Sequence, residues 1–213
     1  MKTNTVAVDP KAPQADVLAQ ACAVLRRGGL VVFPTDTLYA LGADARNARA
    51  VERVIAVKGR AHGKPLSVLV PSVEACLSLL GDAGQEVRGL MQAFWPGALT
   101  IVVKAPAAFP SVLTASTGTL GVRMPGSAVA QALLKAFGGP VIGTSANKAG
   151  GADPADARTV QKTIGGQIDL ILDGGRVALG VASTVLDCTQ RPARILREGA
   201  VSAAALRAKI PVA

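Results

Sequence analysis

The sequence predicts one α/β domain, a twisted, open, mixed β-sheet with flanking helices. Three observations predict it. Short apolar runs bounded by proline or glycine alternate with amphipathic segments of helical period, as strands covered by helices do. The 213 residues are 50% hydrophobic, enough for a sizeable core and short for two domains. No internal repeat, heptad or low-complexity tract interrupts the alternation.

The elements follow in order. Residues 16–27 place Val17, Leu18, Ala21, Val24 and Leu25 on one side of a helix, which Gly28-Gly29 stops. The apolar run 30–33 reads as a buried strand ended by Pro34. A helix over 48–58 turns Val51, Val54 and Ile55 inward and ends at Gly59. A strand over 66–70 closes at Pro71, and helical segments follow at 73–80 and 85–94. Strands at 99–104 and 120–124 precede a helix at 129–137. Val141 and Ile142 lead a strand into the loop 143–151. Further strands occupy 168–172, 183–186 and 193–196, and Ser202 caps a short helix through Arg207. The domain covers 14–202, with terminal extensions at 1–13 and 203–213.

Lys and Arg number 23 against 14 Asp and Glu, a net charge of +9. That excess points to anionic partners such as nucleotides, RNA or acidic metabolites. Aromatic residues make up 3% of the chain and are scattered, so no base-stacking platform is visible. Phosphate contacts would then carry any affinity for RNA. Cys22, Cys76 and Cys188 are isolated and His62 is the single histidine, which argues against a zinc site. Isolated cysteines fit a reducing compartment. The first 14 residues are polar and carry prolines, and no apolar run approaches the ~18 residues of a membrane span. The expectation is a cytoplasmic protein without a membrane segment.

Two tempting motifs fail. A P-loop needs four residues between its glycines and Ser or Thr after the lysine, whereas Gly59 and Gly63 enclose three residues and Pro65 follows Lys64. A nucleophile elbow needs glycine two residues after its serine, but Asn147 follows Ser145 at that distance.

Other features carry two readings each. Lys58 and Arg60 either complement a helix dipole or aim a cation and a guanidinium fork at a polyphosphate. Thr35, Asp36 and Thr37 follow a buried strand, where open sheets hold ligands, or they satisfy their own turn. The small residues of 143–147 admit backbone N–H groups close to an anion, and Ser145 and Asn147 add side-chain donors. Arg123 is either a further cation for the site or a surface ion pair.

Together and in this order, these segments resemble the YrdC-like threonylcarbamoyl-AMP synthase family over nearly the whole chain. FPTDTLYALG from Phe33, KGR from Lys58, PLSVLV from Pro65 and FWPGALTIVV from Phe94 carry the likeness. GTLGVRMP from Gly118, TSAN from Thr144, GVASTV from Gly180 and LREG from Leu196 complete it.

The resemblance implies an open α/β fold around a large basic cavity. It implies that L-threonine, bicarbonate or CO₂ and ATP, with Mg²⁺ bound with the ATP, give threonylcarbamoyl-AMP and pyrophosphate. A separate transferase complex would pass the group to tRNA next to the anticodon, and RNA binding is implied as well. Lys58, Arg60, Ser145 and Asn147 match the family's K-x-R and S-x-N signature. By the same likeness Arg60, Lys64, Thr119, Ser145, Asp153 and Arg197 fall at ATP positions. Thr37, Arg123, Gly143 and Ser183 fall at threonine positions, beside which Thr35 adds a hydroxyl. The chain departs from the pattern at Asp36 and Ala182, each in place of Glu, at Ala40 in place of Gly, and at Leu69, where some members carry His.

The expected chemistry needs no covalent nucleophile, only positioning and charge stabilisation. The loop 146–156, rich in Gly and Ala, is the expected lid. The alternatives are an RNA-binding or ribosome-assembly protein of the same fold without synthase activity, and a carbamoyl-transfer domain of hydrogenase maturation.

Overall fold

The computed structural model describes residues 2–59 and 65–213, so Arg60, His62 and Lys64 lie outside the described residues. Eleven strands and eight helices are found among the described residues. They form two open sheets rather than one. The five-stranded sheet contains β1 (Asn4–Ala7), β9 (Leu170–Asp173), β2 (Val31–Pro34), β3 (Tyr39–Gly42) and β8 (Thr144–Ser145), in that order. The six-stranded sheet runs β11 (Arg194–Arg197), β10 (Thr184–Asp187), β5 (Leu99–Lys104), β6 (Thr119–Arg123), β4 (Ser67–Leu69) and β7 (Val141–Ile142). Both mix parallel and antiparallel pairs.

Why two sheets form is visible at Gly143. β7 pairs with β4 and β8 pairs with β3, so the chain leaves one sheet for the other within a single residue. The Gly143 amide donates to the Ser67 carbonyl, and the Ala146 amide donates to the Tyr39 carbonyl. One strand-like run in the sequence therefore serves two sheets, and apolar periodicity carries no mark of that division.

Side chains alternate about the five-stranded sheet as a two-residue period requires. Val31, Phe33, Leu170 and Leu172 face α1 (Ala15–Arg26) and α6 (Ala128–Phe137), which pack together over them. Val32, Tyr39, Leu41 and Ile171 face the larger core with Val51, Val54 and Ile55 of α2 (Ala48–Lys58). That core also takes Val68, Ile101, Leu120 and Val122 from the six-stranded sheet, and Val87, Leu90 and Met91 from α4 (Gln85–Phe94). The opposite face of the six-stranded sheet is left to the cavity described below.

The predicted helices at 48–58, 73–80 and 85–94 are found with those limits, the second being α3 (Val73–Leu80). Gly59 ends α2 in the left-handed region at φ 59°, which a Cβ disfavours. Some elements were not predicted. β3 is only four residues long, and α5 (Ser111–Thr114) is a single turn. The helix α7 (Ala157–Ile164) buries only Ala157, Val160 and Ile164, a stripe too narrow to stand out in so polar a segment.

The predicted terminal extensions are also built into the fold. β1 pairs in parallel with β9, and Leu206 of α8 (Ala203–Arg207) is fully buried. β1 is an edge strand with mostly exposed side chains, so no apolar run marks it.

Candidate active site

Period-2 geometry fixes one wall of the cavity. Ser67 and Leu69 on β4, Thr100 and Val102 on β5, and Thr119, Gly121 and Arg123 on β6 all present the same sheet face. Ser183 and Val185 at β10 and Arg197 on β11 continue it. Thr35, Thr37 and Leu38, from the loop after β2, close the opposite side with Tyr39 and Ala40 of β3 and residues 143–145. The enclosed space is about 290 Å³. Its charged lining is Arg123 and Arg197, and no acidic side chain lines it among the described residues. Such a cavity favours anions.

Arg123 is 6% exposed, and each nitrogen of its guanidinium has one partner in the protein. Nε donates to the Gly97 carbonyl at 2.8 Å, Nη1 to Thr37 Oγ1 at 2.8 Å, and Nη2 to the Asp36 carboxylate. Asp36 also accepts the Gly126 amide at 2.9 Å, so its oxygen is fixed from two sides. Burial pulls the Arg123 pKa down and Asp36 pushes it back up. The shorter Asp36 in place of Glu therefore still reaches the arginine.

Thr35 Oγ1 donates to the Leu38 carbonyl at 2.7 Å. Thr37 Oγ1 accepts from Arg123, which leaves its own proton for Thr35, 3.0 Å away, or for a ligand anion. The predicted cluster of Thr35, Thr37 and Arg123 is thus brought together as one polarised relay.

On the neighbouring strands Arg197 donates through Nε and Nη2 to the Ser183 carbonyl, at 3.1 and 2.8 Å. Its Nη2 also reaches Ser183 Oγ at 3.2 Å, and that hydroxyl pairs with Thr100 Oγ1 at 3.0 Å. Partial burial lowers the Arg197 pKa, while the charge of Asp153 raises it. Asp153 itself is exposed and does not line the cavity.

Lys58 sits differently from the expected polyphosphate contact. It is 4% exposed and lies behind the cavity wall. Its Nζ donates to the Ser145 carbonyl and to Asn147 Oδ1, each at 2.7 Å, and reaches Ser145 Oγ at 3.2 Å. Asn147 in turn donates to the carbonyls of Gly151 and Ala152. The signature pair is therefore assembled as an internal brace, with Ser145 as its member on the cavity. The loop 146–156 is tied at both ends, since the Ala146 and Ala149 amides donate to the Tyr39 and Lys58 carbonyls, and Pro154 and Ala155 accept the Tyr39 and Val177 amides.

Thr119 and Gly143 line the cavity, and Thr119 Oγ1 pairs with Thr117 Oγ1 at 2.8 Å. Arg60 and Lys64 lie outside the described residues, while Pro65 lines the cavity. Sequence reasoning missed Ser67, Thr100, Gly121 and Thr144. For Ser67 and Gly121 the available signal was alternation from Leu69 and Arg123, both already singled out.

A metal held by protein carboxylates does not fit the described lining, and no cluster of three His, Cys, Asp or Glu suited to a metal occurs among the described residues. No helix among the described residues is long and apolar enough to cross a membrane.

Comparison with known proteins gives likenesses in sequence and in fold. A threonylcarbamoyl-AMP synthase of Bacillus subtilis is 39% identical over 194 residues, covering 91% of this chain. The chain spans only 56% of that relative's length. The crystal structure of Pyrococcus abyssi Sua5 complexed with L-threonine superposes with a TM-score of 0.93 at 34% identity, over 99% of this chain and 63% of that one. Escherichia coli YciO gives a TM-score of 0.85 at 28% identity, over 94% and 97%. The Sua5/YciO/YrdC family model, described as "Telomere recombination", matches residues 23–199. With the family model matching residues 23–199 and relatives 34–39% identical over most of its length, the chain belongs to the Sua5/YciO/YrdC family.

Proposed function

We propose that the protein is an L-threonylcarbamoyladenylate synthase, making threonylcarbamoyl-AMP and pyrophosphate from L-threonine, bicarbonate or CO₂ and ATP. The observation that carries this reading is a cavity walled by hydroxyls whose only described charges are two arginines on one sheet face. A single anion needs one such cation. Two suit a reaction joining an amino-acid carboxylate to a nucleotide.

In this reading the threonine carboxylate takes the Arg123–Thr37 side, with Thr35 holding the relay in place. Ser183 and Gly143 complete that side. The nucleotide takes Thr119, Ser145 and Arg197, with Arg60, Lys64 and Asp153 as further expected contacts. Threonine's amine and bicarbonate give the carbamate with loss of water. A carbamate oxygen then bonds to the α-phosphorus of ATP as the bond to the departing pyrophosphate breaks. The side chains act by placement and by neutralising charge. Lys58 and Asn147 act by holding Ser145. Mg²⁺, if used, would arrive on the phosphates, because the described lining lacks carboxylates.

The product would serve a transferase complex that modifies tRNA in the cytoplasm, and the net charge of +9 suits an encounter with RNA. The test is pyrophosphate release from ATP and Mg²⁺ with threonine and bicarbonate omitted in turn. Release that needs both supports the synthase. RNA binding without turnover would identify a binding protein that keeps the fold.

A further inference from the structure

The lining hydroxyls differ in whether the protein already uses them. Those of Thr35, Thr37, Tyr39, Thr100, Thr119, Ser145 and Ser183 each hydrogen-bond within the protein. Ser67 and Thr144 line the same cavity with no side-chain hydrogen bond among the described residues. They are neighbours through Gly143, whose amide donates to the Ser67 carbonyl at 2.9 Å. Gly121, the register partner of Ser67, keeps the space above it open. A Cβ there would meet Ser67 Oγ at 2.7 Å and Thr100 Cγ2 at 3.2 Å.

We infer that Ser67 and Thr144 form the subsite for the one-carbon oxyacid, binding bicarbonate and then the carboxylate of the carbamate. The inference rests on the synthase reading above. That reading places the amino acid at Gly143 and the nucleotide at Ser145. Thr144 stands between them in the chain, and Ser67 is bonded to the first. The one-carbon unit must bridge the two substrates. It brings oxygen acceptors that need donors, and two uncommitted hydroxyls supply them without breaking a protein hydrogen bond. In the step served, the amine nitrogen bonds to the bicarbonate carbon and one water leaves. A carbamate oxygen then displaces pyrophosphate from the α-phosphorus.

The experiment is steady-state pyrophosphate release by the wild type, Ser67→Ala and Thr144→Val, varying bicarbonate, threonine and ATP separately. Neither variant removes a protein hydrogen bond, so thermal melting should match the wild type. Each should raise the KM for bicarbonate about five- to tenfold, the size of one lost hydrogen bond, with the KM for threonine and ATP unchanged. Unchanged bicarbonate dependence in both variants overturns the subsite, as does a rise confined to threonine or ATP. A wild type that releases no bicarbonate-dependent pyrophosphate overturns the synthase reading and the subsite with it. The two failures are therefore distinguishable.

Discussion

The Lys58 ammonium lies 2.7 Å from the Asn147 amide oxygen and 2.7 Å from the Ser145 carbonyl, so the last residue of α2 braces the loop after β8. The α2 C-terminus also accepts the Ala149 amide through the Lys58 carbonyl. Replacing Lys58 by Met should leave these buried acceptors underbonded. Removing such a partner costs about 2 kcal/mol, which for this chain length lowers Tm by about 4–8 °C. Asn147→Ala should cost a similar amount, and the double variant less than the sum, because both belong to one network. Thermal denaturation of the three variants checks this. An unchanged Tm with lost turnover would move Lys58 from the brace to the substrate.

Gly143 has no room for a side chain. A Cβ there would stand 2.3 Å from Leu69 Cγ and 2.6 Å from its Cδ1. Gly143→Ala should cost about 1–3 kcal/mol through overpacking and abolish threonine binding measured by calorimetry. Leu69→Ala in the same chain removes the obstructing atoms and should recover part of the lost stability. Failure of the second change to help would mean that the backbone, not Leu69, sets the limit.

The single tyrosine, Tyr39, accepts the Gly174 amide and donates to the Gly175 carbonyl at 2.6 Å. Burial raises its pKa well above the ordinary phenol value. The folded protein should therefore show no tyrosinate absorbance near pH 10, and the signal should appear together with unfolding. Its stabilising contribution is present below the unfolded pKa and is lost as pH rises toward the folded one. Tyr39→Phe should cost about 1–2 kcal/mol in urea titrations at neutral pH.

Asp156 caps α7 by accepting the Thr159 amide at 2.7 Å, and that bond lowers its pKa. Its contribution is present above the unfolded carboxylate value and is lost as pH falls through the folded one. Asp156→Ala should cost about 1 kcal/mol at pH 7 and much less near pH 3, compared by urea unfolding. Asp156→Asn, which keeps an acceptor, should retain most of the stability at pH 7.

Much of the site was legible because its residues are chemically conspicuous. Arg123 at the end of one strand, and Thr35 and Thr37 after another, stand out as candidates that the family resemblance then groups. Ser67, Gly121 and Thr144 do not, because a serine, a glycine and a threonine in strands look the same whether they face a cavity or solvent. The role of Lys58 was ambiguous for a similar reason. A lysine at a helix C-terminus complements the dipole in any fold, and only the neighbouring loop shows that three oxygens receive it.

The sequence by itself determined the α/β class, most element positions and the anionic preference. Those follow from periodicity, capping and charge, which act over a few residues. The tertiary structure decided that the strands divide into two sheets at Gly143, that β1 and α8 belong to the domain, and which hydroxyls remain uncommitted. Each of these depends on partners distant in the chain. β1 pairs with β9, Ser67 with Gly121, and Lys58 with Asn147, and such non-local pairings leave no local pattern to read.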